Sequence, residues 1–150
     1  MSNAIKIAIA ADHGGFDLKE EIKNFVIDNL NIEWIDLGTH STDSVDYPEY
    51  GFKMAEAIKN GDAEKGILIC GTGIGISIAA NRHPHIRSAL CTNTTMAKLT
   101  REHNDANVLA LGARIIGVEL AKDIVKTFLT TEFEGGRHSR RVEKLLGGCS

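Results

Sequence analysis

The chain has 150 residues and a mass of 16.3 kDa, with 43% hydrophobic and 25% charged residues, a net charge of −3 and a pI of about 6.1. That is the size and balance of one globular domain, long enough to bury roughly 68–70% of its unfolded surface without metal or disulfide staples; a disordered tail, a collagen repeat and a coiled coil are excluded. A general nucleic-acid binder needs an excess of Lys and Arg to displace counterions, and this chain has none, although local basic spots can still take small anions.

In chain order, Met1-Ser2-Asn3-Ala4 reads as a frayed or added terminus, without a charged-then-apolar leader, and no apolar run approaches the roughly 20 residues of a membrane span. Residues 5–10 (I-K-I-A-I-A) form a predicted buried strand, stopped by Asp12-His13-Gly14-Gly15. Residues 16–30 carry a helical period, with Leu18, Ile22, Phe25, Val26 and Leu30 near one face. A second strand is predicted over 33–37, then a polar loop over 38–46. A helix is predicted over 47–59, with Pro48 in its first turn.

The most apolar strand is 66–70 (G-I-L-I-C), which runs into Gly71-Thr72-Gly73-Ile74-Gly75 and a small-residue helix over 76–81. Strands at 87–91 and 108–111 and helices at 94–102 and 117–129 repeat the pattern, and a basic segment, 136–146, closes as a further helix. Five short apolar strands separated by helices require crossovers and hence parallel pairing. Helices on both faces account for strands that read as continuous apolar runs. The expected fold is therefore one α/β domain over 1–150, a doubly wound, Rossmann-like five-stranded parallel sheet with an additional basic C-terminal helix.

Open parallel sheets bind ligands beyond the carboxyl ends of their strands. Those ends carry Asp12-His13, 38–46, 70–75, 91–95 and 112–114. The loop 71–75 offers backbone N–H groups at a helix N-terminus, where negative charge is favoured. It is neither a P-loop nor G-x-G-x-x-G, because Ile76 follows Gly73 by three. Anion or oxyanion binding and a plain structural turn both remain open for it.

Cys70, at the end of the core strand, is either a small inert hydrophobe or a nucleophile or base beside a helix N-terminus. Cys91 lacks the glycines and reads as structural, and Cys149 as incidental. Three widely spaced cysteines, with no C-x-x-C pair, argue against a disulfide scaffold and for a reducing cytoplasm. His13 and His103, the latter followed by Asn104, are expected on the crevice side, whereas His40, His83 and His85 lie in polar loops without distinction. No H-x-x-x-H or H-x-x-E-H spacing occurs, so no metal site is expected. Arg137 and Arg141 stand four apart, either as a solvated basic face or as a fork for phosphate.

Together these residues resemble the ribose-5-phosphate isomerase B family, within a group that includes galactose- and allose-6-phosphate isomerases. The resemblance rests on A-A-D-H-G-G at 10–15, D-Y-P at 46–48 and G-I-L-I-C-G-T-G-I-G-I-S-I-A-A-N at 66–81. It continues in R-E-H-N-D-A-N-V-L-A-L-G-A-R at 101–114 and E-G-G-R-H-S-R-R at 134–141, and only the ending 147–150 looks individual. It implies a metal-free, cofactor-free aldose–ketose isomerase of a phosphorylated pentose, working in the pentose phosphate pathway. By the same resemblance Cys70 is the base between C1 and C2, Thr72 and His103 open the furanose ring, and the N–H groups of Gly71, Thr72, Gly73, Ile74 and Gly75 hold the enediolate. Asp12, Tyr47 and Asn104 contact sugar hydroxyls, while His13, Arg114, Arg137 and Arg141 line the phosphate end. Some of these are donated by the second subunit of a homodimer with shared active sites, with further pairing into a dimer of dimers left open. A six-carbon substrate is the nearest alternative. A non-catalytic sugar-phosphate sensor is the competing class, which has no use for a thiol base with a ring-opening acid, and a nucleotide-binding Rossmann domain fails on glycine spacing.

Overall fold

A computed structural model describes residues 4–147. In chain order it contains β1 (Ile5–Ala11), α1 (Phe16–Lys23), β2 (Ile32–Asp36), α2 (Tyr47–Lys59), β3 (Lys65–Cys70) and α3 (Ile74–Asn81). These are followed by β4 (Ser88–Leu90), α4 (Thr94–Asn104), β5 (Val108–Gly112), α5 (Val118–Thr130) and α6 (Arg137–Gly147). The five strands form one sheet in the order β2-β1-β3-β5-β4, and every pairing is parallel. This is the doubly wound α/β architecture expected from the alternation of strand and helix.

Successive strand residues face opposite sides of a sheet, so each central strand feeds two cores. Ile7, Ile9, Ile67, Ile69, Leu109 and Leu111 pack on one side with apolar residues of α1, α4 and α5. Ala8, Ala10, Leu68, Cys70, Val108 and Ala110 pack on the other with Tyr50 and Met54 of α2 and Ile76 and Ala80 of α3. Small residues on the second side let α2 and α3 approach closely; a Cβ on Gly66 would run into Met54. Because β2 lies on one side of β1 and β3 on the other, the winding reverses between β1 and β3, and the carboxyl ends of those two strands flank the crevice.

The first helix is shorter than its sequence period suggests, ending at Lys23 rather than at residue 30. Phe25, Ile27 and Leu30 still pack against the first core, but from an irregular segment in which Asn29 has φ 67°. Val26, β-branched and 80% exposed, belongs to no apolar face. Strand β4 is cut to three residues at the sheet edge, whereas α4 runs on to Asn104, two residues beyond its expected end. Cys149 and the ending 148–150 lie outside the described residues.

Candidate active site

The crevice is assembled where β1, β3 and β5 end side by side. The Asp12 N–H donates to the Ile69 carbonyl at 3.1 Å, Ala113 N–H to Cys70 O at 2.9 Å and Arg114 N–H to Gly71 O at 2.9 Å. The three strand ends are thus tied together by backbone. Asp12, 8% exposed, spends Oδ1 on the N–H groups of Gly14 and Gly15 (2.9 and 3.2 Å). Gly15 has no room for a side chain: a Cβ would lie 2.6 Å from the Ile69 carbonyl oxygen. His13 Nδ1 accepts from the Val45 N–H at 3.1 Å, which fastens the loop 38–46 over this end of the sheet.

Cys70 is 5% exposed, and its Sγ accepts a hydrogen bond from the Gly73 N–H at 3.1 Å. A donor aimed at sulfur suits an anionic acceptor better than a neutral one. Gly73 is the N-cap of α3 at φ 79°, a left-handed conformation that a side chain strains. It is also walled in, since an added Cβ would lie 2.7 Å from both the Leu111 carbonyl carbon and Leu90 Cδ1. Helix α3 begins at Ile74, two residues before its expected start, so Ile74 and Gly75 lie in its first turn. The Thr72 hydroxyl, exposed, accepts from the Ile74 N–H at 3.2 Å.

The neighbours of the glycines define the rest of this half. A Cβ on Gly75 would meet Tyr47 Cε1 at 2.5 Å, and one on Gly71 would meet Arg114 Cδ at 3.5 Å. One on Gly14 would meet Gly71 N at 3.5 Å. Asp12, His13, Tyr47, the loop 71–75, Cys70 and Arg114 therefore converge on one crevice, as the strand-end rule anticipates. Cys91 is buried among apolar groups, and burial pushes its thiol up to about 11, so it stays protonated and inert as its position suggests. His85 is used structurally, with Nε2 2.7 Å from the Ala55 carbonyl oxygen, and His83 packs against Phe52 and His85.

The expectation that His103 faces the same crevice in its own chain is corrected by the topology. His103 and Asn104 form the last turn of α4, which delivers the chain to the amino end of β5. Val108 pairs with Gly66 and Gly112 with Cys70. The two ends of β5 are therefore about 13 Å apart along the strand at 3.3 Å per residue, with His103 beyond the far one. Arg101, 4% exposed, fixes this turn: it donates to Asp105 Oδ1 at 2.8 Å, Ala106 O at 2.7 Å and Thr131 O at 3.1 Å. Asp105 caps the helix at φ 46°, and the Glu134 N–H donates to Glu102 O at 3.1 Å, which binds the segment before α6 to α4.

Gly135 and Gly136 turn the chain into α6 through left-handed φ of 68° and 57°. The helix then lays His138 on His103, ring centroids 4.3 Å apart and planes within 14°. His103, Asn104, His138, Arg141, Val142 and Leu145 line one groove of about 320 Å³. Arg137 and Arg141 are exposed at the start of α6. The chain thus holds two groups of predicted site residues at opposite ends of β5. Sequence spacing does not single out Glu134 and His138: the local trace is an E-x-x-x-H spacing, and their partner His103 is distant in sequence, so no spacing rule for metal ligands reaches the trio. His138 is held below the ordinary imidazole range, first by lost hydration and then by repulsion from His103 and Arg137.

Comparison with known proteins places this geometry among isomerases. A family model described as Ribose/Galactose Isomerase matches residues 7–145. Ribose-5-phosphate isomerase B of Escherichia coli is 50% identical over 93% of this chain and 93% of its own length. A D-erythrulose-4-phosphate isomerase of Pectobacterium atrosepticum is 43% identical over 94% of this chain and 93% of its own. The solved structure of ribose-5-phosphate isomerase B from Clostridium thermocellum superposes with a TM-score of 0.92 at 57% identity, covering 95% of this chain and 96% of that one.

Proposed function

Because the chain belongs to the ribose/galactose isomerase family and is an aldose–ketose isomerase, we propose that its reaction is the interconversion of ribose 5-phosphate and ribulose 5-phosphate, in the cytoplasmic pentose phosphate pathway. The observation that carries the mechanism is Cys70 at the end of β3, with the Gly73 N–H on its sulfur. Proton transfer between adjacent carbons needs a base and preorganised donors for the oxygen that becomes charged. Cys70 takes the C2 proton of the open-chain aldose and returns it to C1. The backbone N–H groups of Gly71–Gly75 hold the enediolate meanwhile. Isomerisation is redox-neutral overall, so the chemistry calls for no cofactor.

Ribose 5-phosphate is mostly a closed furanose, and His103 with Thr72 opens it, His103 giving the proton to the ring oxygen. Asp12, Tyr47 and Asn104 hold sugar hydroxyls; His13, Arg114, Arg137 and Arg141 hold the phosphate, so that binding energy at the dianion positions the small reacting centre. One chain keeps His103, Asn104, Arg137 and Arg141 at the amino end of β5, away from its own Cys70. That separation supports a homodimer in which each crevice receives these four residues from the other copy.

A different chain length is the second reading, favoured by the similarity to a four-carbon sugar-phosphate isomerase; allose and galactose 6-phosphates are the six-carbon alternatives. Incubation with ribose 5-phosphate should yield ribulose 5-phosphate faster than the other sugar phosphates yield their ketoses. Faster turnover of a four- or six-carbon phosphate would reassign the substrate, and binding of all of them without conversion would reduce the protein to a sensor.

A further inference from the structure

The proposed chemistry uses His103 alone among three side chains that meet at the amino end of β5. Glu134 comes from the segment before α6 and His138 from its first turn, and the ligand atoms of the trio lie within 4.8 Å of one another. His138 is 6% exposed, yet its buried Nε2 has no hydrogen-bond partner among the described residues. Buried polar atoms are nearly always paired, so an unpaired one facing a carboxylate and a second imidazole points to a missing ligand.

The spacing agrees. Glu134 Oε1 lies 3.4 Å from His138 Nε2 and 3.7 Å from His103 Nε2. Both distances exceed an ordinary hydrogen bond. They fall near the separation of about 3.3 Å between two ligands that sit 2.0–2.1 Å from a tetrahedral zinc ion. Both Nε2 atoms thus lie beside the same oxygen; the rings stack in this structure, so the half-exposed His103 ring turns out of the stack for both in-plane lone pairs to reach one ion. We propose that His103, Glu134 and His138 form an inhibitory site for a divalent cation of the zinc class, bound through two Nε2 atoms and one carboxylate oxygen. The fourth position opens onto the groove lined by Asn104, Arg141 and Val142, where water completes the shell.

Two imidazoles and one carboxylate select zinc and its late-transition neighbours over magnesium and calcium, which prefer all-oxygen shells. Arg141 in the same groove repels a cation and keeps the site weaker than a structural zinc centre, as suits a reversible inhibitor. Metal on His103 Nε2 removes that nitrogen from proton transfer. This consequence rests on the ring-opening role proposed for His103, whereas the binding site does not.

Full-length protein titrated calorimetrically with Zn²⁺ should take one ion per chain. Co²⁺ should give visible ligand-field bands without the near-ultraviolet sulfur-to-cobalt transition that Cys70 would produce. Glu134→Gln and His138→Gln should each weaken Zn²⁺ binding about tenfold or more. Glu134 is half exposed, so its variant keeps the test sound should His138→Gln fold poorly. Wild-type turnover should fall in step with zinc occupancy and recover with EDTA, while Glu134→Gln should turn over without that sensitivity. Absence of binding, or binding lost in Cys70→Ala and unchanged in Glu134→Gln, overturns the site. Binding at the trio with unaltered turnover overturns the inhibition, and with it the acid role of His103, while leaving the site in place.

Discussion

Around Cys70 the chemistry is set by backbone: glycine N–H groups at a helix start, in a loop whose left-handed Gly73 is pressed between Leu90 and Leu111. Around His103 it is set by long side chains on α4 and α6, exposed along a groove and reached through two left-handed glycines. The first region presents backbone N–H donors in a fixed loop, as the proposed enediolate requires, and the second presents cations and an imidazole along a groove. For the proposed reaction neither is complete alone. Their separation along β5 is the observation that supports the proposed homodimer, in which another copy of the chain supplies the missing half of each.

The largest effect should come from the backbone-built half. Cys70→Ala removes the proposed base and should lower turnover at least about 10³-fold, with ribose 5-phosphate binding by calorimetry close to wild type. Near-native turnover would remove Cys70 from the mechanism. Gly73→Ala comes next. A side chain at φ 79°, with 2.7 Å to two neighbours, should shift the loop, cost about 1–3 kcal/mol of stability by denaturant unfolding, and reduce turnover about 10²-fold. If turnover holds while stability drops, the loop is only a turn.

The side-chain half should respond with direction, one substrate suffering more than the other. His103→Asn is expected to slow cyclic ribose 5-phosphate by about 10²-fold and ribulose 5-phosphate much less, because the ketose cannot close into the same furanose. Equal losses on both, with chemistry limiting in the wild type, would place His103 in the isomerisation step instead.

The smallest effect concerns the ion cluster that ties α1 to the end of β2. Burial pushes the Asp36 carboxyl up, but hydrogen bonds from Lys19 (2.6 Å), Lys23 (2.8 Å) and Gly38 N–H (2.9 Å) outweigh it, and the group lies at about 2 instead of 3.8. A lowered carboxylate contributes stability that is present in full above its unfolded value near 3.8 and is lost as pH falls through 2. Acid unfolding followed by circular dichroism should show this loss, on the order of 1 kcal/mol after allowance for partial solvent screening. Asp36→Asn should flatten it, and an unchanged acid profile would mean the ion cluster is thermodynamically silent.

The same contrast explains what the sequence discloses. The Cys70 half is local: strand, thiol, glycines and helix follow one another within a few residues, and Asp12, His13 and Arg114 come from the ends of neighbouring strands, which the crossover pattern already orders. The His103 half depends on how α6 folds back onto α4, so Glu134 and His138 are invisible as partners of His103 until the chain is packed. The same limit applies to α1, where Phe25, Ile27 and Leu30 keep a helical period while packing from an irregular segment. Periodicity records which residues face the core, and several backbones satisfy it.

Mixing two inactive proteins tests the shared site most directly. Cys70→Ala lacks the backbone half, and Arg137→Ala/Arg141→Ala lacks the phosphate grip of the other. After subunit exchange, a heterodimer with shared crevices carries both defects in one site and none in the other. Activity should return, to about half the wild-type value per heterodimer by this site count. If each chain serves its own crevice, every site keeps one defect, and a mixture that stays inactive after verified exchange would contradict the shared site.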